Sequence, residues 1–478
     1  MSIARFRAMA TAASTLLMAG CAAVGPDYAP PLPPAGLADR PTAAFEALPS
    51  PALSSAALPV RWWRLYNDPR LDALVEQAFA ANTDLRVAAA NIDRARAALD
   101  EVRVAAGVQT SVQGGPSIGQ GSTLGIAPAG GIHAQLDAGI AISYQIDVAG
   151  RIRRSIEAAN ASAEVQAAAY DLARTTVAAG VVGAYTDACA AGARIAVTQT
   201  SLDLQRRSLA LTERGVRGGV FPPLDAVRSR TLVAQLGAAL PPLEASRRVA
   251  LYRLAVLTGR APVDYPPELA HCTTLPRMAQ PMPVGDGAGL IRRRPDIRQA
   301  ERELAAATAT IGVETAALYP SISLGVSAGS TTRRVGGLLS DSALRFNVGP
   351  LVSWTFPNRS LGRARIAQAD AAARAALAGF DGTVLVALRE AESALTLYVR
   401  DLDENARLHE AREESRKAAA LQRRLTRGGT GTALAALDVE RTLAAAESTL
   451  AASDAKLAAD RVAIFLALGG GWEDSEER

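Results

Sequence analysis

Shifted by 212 residues, the sequence falls on itself. Leu85, Ala88, Ile92, Ala95, Leu99, Val102 and Ala106 then align with Ile297, Ala300, Leu304, Ala307, Ile311, Glu314 and Leu318, and Asp84-Leu85-Arg86 aligns with Asp296-Ile297-Arg298. Spacings of three and four alternate in both copies, which is the seam of a heptad helix, interrupted only at Glu314. One order of segments follows in each copy: alternating residues, a very long helical stretch (152–217 and 363–427), a Gly turn, and a returning helix (224–257 and 433–468). At roughly 1.5 Å per residue each long stretch would reach on the order of 100 Å, far beyond the usual globular helix. Such a chain has little means of building a bulky globular core. Only 4% of its residues are aromatic, and the heavy use of Ala favours helices that approach one another closely.

Between the helices lie strands. Residues 132–147 place apolar side chains on every even position, against His133, Gln135, Asp137, Gly139, Ala141, Ser143, Gln145 and Asp147 on the odd ones. Ile322, Leu324, Val326 and Ala328 alternate with Ser and Gly, and Leu344, Phe346, Val348, Val352, Trp354 and Phe356 alternate with mostly polar neighbours. A fourth strand near 108–118 is weaker. Period-two alternation of this length argues against a plain coiled-coil rod. Beyond the N-terminus no segment reads as a membrane helix; the best, 177–197, is interrupted by Tyr185-Thr186-Asp187. A chain that crosses a membrane without such helices does so as a closed barrel, apolar outside and polar inside, although a soluble sandwich alternates in the same way. Four strands cannot close a barrel, and eight or twelve can, so two or three chains would have to contribute. The Gly-rich segments 119–131 and 329–341 are expected to be exposed loops.

The N-terminus reads as an address. Arg5 and Arg7 precede an apolar run too short to span a bilayer, which ends in Leu17-Met18-Ala19-Gly20-Cys21. Small residues before a Cys resemble the bacterial lipobox, which implies cleavage before Cys21, a diacylglycerol on its thiol and an acyl chain on its amine. Ala22, where inner-membrane lipoproteins usually carry Asp, implies transfer to the outer membrane. Two or more acyl chains anchor stably. Residues 21–59, rich in Pro and Ala, read as an extended tether. Without Arg5 and Arg7, 49 basic residues face 47 acidic ones, a balance that gives no reason to expect nucleic acid as a partner. Cys189 and Cys272 are expected to be buried free thiols, with pairing as the alternative. His133, His271 and His409 fall in different segments, and neither a nucleophile elbow nor a phosphate loop occurs, so neither an enzyme nor a cofactor or metal is expected.

Several motifs in order resemble the TolC/OprM family of outer-membrane factors, in particular its lipidated, NodT-like branch. They are Gly25-Pro26-Asp27-Tyr28, then Trp62-Trp63-Arg64-Leu65-Tyr66-Asn67-Asp68-Pro69 with Leu71 and Leu74, then Arg294-Pro295-Asp296-Ile297 with Ala300-Glu301, Ile311-Gly312-Val313 and Tyr319-Pro320-Ser321. The resemblance implies an α+β membrane protein: a homotrimer whose chains give four strands each to a shared twelve-stranded barrel, with a long α-helical coiled-coil tunnel in the periplasm. It divides the chain into a signal peptide (1–20), a lipidated tether (21–59), two structural repeats (60–277 and 278–468) and a tail (469–478). It makes the protein an efflux duct in the Gram-negative outer membrane, serving a periplasmic adaptor and an inner-membrane pump of the RND type. Arg217-Gly218-Gly219 and Arg427-Gly428-Gly429 would be the tips where these partners dock, and Asp438 would ring the closed aperture, with Ala435 in place of a second acid. Pro222-Pro223 stiffens the first tip. The alternative is a structural envelope lipoprotein without a pore. Arg292-Arg293-Arg294 is expected to be a solvated run before a helix.

Overall fold

The computed structural model describes residues 23–32, 45–46, 50–119, 132–278, 281–354, 359–428 and 430–470. In chain order the elements are β1 (Leu53–Ser54), α1 (Pro69–Ala81), α2 (Thr83–Ala105), β2 (Gln109–Gly119), β3 (His133–Ile146), α3 (Arg151–Arg217), α4 (Pro223–Ala238), α5 (Leu240–Leu257), β4 (Met282–Pro283), α6 (Gly287–Arg293), α7 (Pro295–Ala316), β5 (Ser321–Thr332), β6 (Leu344–Ser353), α8 (Arg359–Arg427) and α9 (Ala433–Ala467). They form two compact units. One comprises the segment up to Leu32 with Asn91–Ala167 and Gln299–Phe380; the other holds the remainder.

The first unit is organised by an antiparallel sheet in the order β2-β3-β5-β6. Its register explains the alternation. Opposite Asp137, Gly139 and Ala141 on β3 lie Gly115, Gln113 and Ser111 on β2 and Thr331, Gly329 and Ser327 on β5. Arg345 and Asn347 on β6 continue these rows. Apart from Leu351 near the end of β6, one face is therefore polar or small. The other carries Val112, Ile118, Ile140, Ile142, Tyr144, Leu324, Val326, Phe346, Val348 and Val352, all exposed in the single chain. The sheet is open, with β2 and β6 as its edges. Pro116 and Pro350 lie on those edges, where a residue without an N–H is tolerated.

Helices dominate the second unit. Tyr185-Thr186-Asp187 does not interrupt α3, because the helix has a use for the two polar groups that it buries there. Thr186 donates to the Val182 carbonyl at 2.6 Å and the Tyr185 hydroxyl donates to Asp68. Around them Val177, Val181, Val182, Ala184 and Ala188 are buried, as are Leu251 and Leu254 of α5 and Ile464 and Phe465 of α9. The Trp-Trp motif belongs to this core: Trp62 stacks on Phe465 with ring centroids 4.4 Å apart, and Trp63 packs edge-on to Phe79. Asn67 adopts a left-handed conformation after the short turn Trp62–Tyr66, Asp68 caps α1 by accepting from the Arg70 N–H, and Pro69 fills the first helical position.

Four expectations are corrected. The first returning helix is two helices, α4 and α5, because Pro241-Pro242 lack the N–H groups that would continue the ladder across Ala239. Cys189 and Cys272 form a disulfide with Cα atoms 4.8 Å apart, linking the Pro-rich connection to α3. Space for it comes from Gly192, where a Cβ would lie 1.9 Å from the Cys272 carbonyl oxygen. Arg294 is buried rather than solvated. It donates to the Ala467 carbonyl at the end of α9 (2.6 Å) and pairs with Asp296 (2.7 Å) and Glu390 (2.9 Å), so the charge that leaves water meets three acceptors. Within the tether, finally, the stretch around residues 53–58 is docked: β1 pairs in parallel with β4, and Leu53 and Leu58 are buried.

Candidate functional site

Helix ends build the two tips, both in the second unit. At the end of α3, Val220 N–H reaches the Gly215 carbonyl (2.8 Å) and Gly219 N–H reaches that of Val216 (3.1 Å). This paired closure needs a left-handed residue, and Gly219 supplies it at φ 70°. Gly218 donates to Arg214 at 3.0 Å. Pro222 and Pro223 then open α4 where missing N–H groups cost nothing, so the stiff pair fixes how the chain re-enters a helix. At the end of α8, Gly428 donates to Arg424 (3.0 Å), and Thr430 and Gly431 both donate to Leu425 (3.1 and 3.2 Å). Thr432 caps α9 by accepting from Ala435 N–H. Gly429 lies outside the described residues. Arg217 and Arg427 close the last turns of α3 and α8 with Arg214 and Arg424, where positive charge complements the helix dipole.

Between the tips is an apolar cavity of about 290 Å³ lined by Leu204, Leu211, Phe221, Leu437 and Glu440 among others. Phe221 lies against Gly215, where a Cβ would come within 2.2 Å of its ring. Here an aromatic after the turn fills the space next to the helix end, and only the residue at 215 being Gly permits it. Glu440 projects from α9 into the same cavity. Burial pushes its carboxyl above the ordinary range, opposed by the Ser208 hydroxyl and by Arg423. Phe221, Arg423 and Glu440 are not singled out by the sequence; a lone aromatic beside an expected tip is the available signal. Asp438 points elsewhere. Its side chain is exposed and pairs with Arg441 one turn on, at 2.9 Å.

A second constellation, in the first unit, holds the N-terminal strap. Arg154, almost wholly buried, donates to the Val24 and Gly25 carbonyls (3.3 and 3.4 Å), to Asp27 (2.6 Å) and to Glu157 (2.8 Å). Gly25, at φ 90°, lies so close to α7 that a Cβ would be 2.6 Å from Gly312 Cα. Tyr28 donates to Glu301 at 2.9 Å, and Arg302 covers its ring. Two motifs far apart in sequence, Gly25-Pro26-Asp27-Tyr28 and Ile311-Gly312-Val313, thus form one clasp, and Arg154 is the residue that the sequence did not point to. Cys21 lies outside the described residues.

Comparison with known proteins agrees with this geometry. The family model described as outer membrane efflux protein matches residues 74–260 and 289–470. Nodulation protein T of Rhizobium leguminosarum bv. trifolii is 28% identical over 98% of both chains. The pyoverdine export outer membrane protein OpmQ of Pseudomonas putida is 30% identical over 97% of both. The solved outer-membrane channel OprN superposes with a TM-score of 0.85 at 35% identity, covering 94% of this chain and 99% of that one.

Proposed function

Because the chain belongs to the outer membrane efflux protein family, we propose that it is the passive outer-membrane duct of a tripartite export system, working with a periplasmic adaptor and an inner-membrane pump of the RND type. The observation that carries this reading is the open sheet: polar on one face, exposed and apolar on the other, with both edges unpaired in the single chain. An apolar face of that width beside unpaired edges calls for cover, and lipid over the face with further strands at the edges would supply it. Three chains would complete a twelve-stranded barrel with the polar face inward. Among the described residues one helix, α8, includes a stretch apolar and long enough to cross a membrane. It forms part of a 69-residue helix, and Leu377, Leu385, Val386 and Leu397 on it are exposed in the monomer. Contact with neighbouring chains along a helical tunnel accounts for them better than lipid does.

In this reading the element order supports two copies of one repeat, Cys21 carries a diacylglycerol and an N-acyl chain, the clasp at Arg154 ties that anchor to the body, and the Gly turns at 218–219 and 428–429 are the docking ends. Asp438 from three chains would ring the aperture, where like charges repel and attract cations. The role is conduction rather than catalysis, and the choice of cargo rests with the pump. Photoreactive residues placed at Val220 and Thr430, cross-linked in whole cells and identified by mass spectrometry, test it. An adaptor captured at either tip is the expected result. Capture of peptidoglycan-associated proteins only, by a monomeric chain, would instead establish the structural lipoprotein.

A further inference from the structure

The four sheet strands carry two permanently charged residues, Asp137 on β3 and Arg345 on β6. They are 208 positions apart in sequence and on strands separated by β5, yet they meet, with Arg345 Nη2 3.3 Å from Asp137 Oδ1. Both lie on the polar face. The path between them is open because β5 offers Gly329 opposite Arg345 and β3 offers Gly139 opposite Gly329. These glycines floor a hollow of about 640 Å³, at whose rim stand Asp137, Arg345, Gln113 and Asn347. The carboxylate is held in place by the Thr331 hydroxyl (2.6 Å) and the Ser117 hydroxyl (3.2 Å) from the strands on either side. Arg345 remains mostly exposed above the hollow, with 61% of its side chain accessible. The other polar residues of the sheet, such as Gln113 and Asn347, are uncharged or, like His133, weakly basic, and an exposed ion pair contributes little stability.

We propose that Asp137 and Arg345 form a charge-paired girdle in the lumen that sets which small ions and charged solutes pass the sheet. The inference rests on the duct reading, in which the polar face lines the pore. Repeated around the axis, the pair presents fixed charges of both signs at one level, within a narrow, low-dielectric wall where fields are concentrated. Intact, the two signs offset one another. Removing either leaves a ring of the other.

Reversal potentials of single channels in planar bilayers under a salt gradient test this. The gradient should centre on low salt, since the Debye length of about 30 Å at 0.01 M leaves the lumen unscreened. Relative to the native protein, Arg345→Gln should shift the permeability ratio several-fold toward cations and Asp137→Asn several-fold toward anions, and the double variant should return toward the native value. The series is repeated with Asp438→Ala, so that a constriction at the tips cannot mask the sheet. Arg345→Cys gives an independent reading: a cationic thiosulfonate reagent should restore native selectivity and an anionic one should increase the preference for cations. Channels that conduct with reversal potentials unmoved by these changes overturn the girdle alone. A native protein that forms no channels overturns the duct reading, and the girdle with it.

Discussion

Asp438 and Glu440 stand two residues apart on α9 and have opposite surroundings, Glu440 lining the cavity between the tips and Asp438 facing away from it. Asp438 is exposed and paired with Arg441. If it rings an aperture, Asp438→Ala should raise single-channel conductance in planar bilayers; conductance equal to the native value would remove it from that role. Further along the same helix, Asp460 faces Asp401 of α8. Burial, then the hydrogen bond and the charge of Asp401, push Asp460 up to about 6, against the pull of Lys456 and Arg461. Asp401 is itself buried and paired with Lys456 at 2.7 Å. A carboxyl raised in the folded state holds its proton longer there than in the unfolded chain, so native stability falls as pH rises from the ordinary 3.8 to about 6 and stays lowered above. Asp460→Asn should therefore raise the unfolding midpoint at pH 7.5, by about 1 kcal/mol of stability once solvent screening is allowed for, and leave it unchanged near pH 4. A benefit independent of pH would show that packing, not ionisation, is responsible.

At the scale of elements, the long helices are held by a few fixed points in addition to their buried core. The Cys189–Cys272 disulfide spans 83 residues and fastens the connection between β4 and the preceding helices to α3. Replacing both cysteines with Ser should cost about 2–4 kcal/mol, read as earlier thermal unfolding of the oxidised protein in detergent; equal midpoints would mean that the bridge does not constrain the unfolded chain. The clasp is a second fixed point. A Cβ at Gly312 would fall 2.7 Å from Arg154 Cγ, in the middle of a buried side chain with no room to retreat. Gly312→Ala should thus cost about 1–3 kcal/mol and free the strap, seen as faster proteolytic cleavage near residues 23–32. Cleavage at the native rate would mean that the strap is held by Tyr28 instead.

For the whole molecule, the exposed apolar residues of α8 are the test of assembly. Leu385→Glu and Leu397→Glu place charge where a neighbouring chain is proposed to pack. Trimers resolved by native mass spectrometry should give way to monomers in the double variant, whereas persistent trimers would assign those residues to another environment. Much of this architecture was legible beforehand. Each position of the seam from Leu85 to Ala106 is shielded to some degree, while most of its neighbours on α2 are exposed, and the alternation in 132–147 gave both faces of β3. The break between α4 and α5 was written in Pro241-Pro242 but outweighed, in reading, by the apolar pattern on either side.

What the sequence determined alone are the properties that repeat over short distances. Helix and strand period, Gly turns and proline breaks arise from backbone sterics and local hydrogen bonds, so a few neighbouring residues suffice to specify them. Tertiary structure decided everything that depends on a partner far along the chain. Arg294 reads as part of a basic run until the end of α9, 173 residues away, supplies an acceptor. Arg154 is unremarked until the strap arrives 127 residues from it. Gly192 is an ordinary helical Gly until the Cys272 carbonyl lies on it, and Asp137 and Arg345 are isolated charges until sheet register brings them together. Desolvation explains the difference. A buried charge or a missing Cβ acquires meaning only from the group that occupies the adjacent space, and no local spacing encodes which group that is.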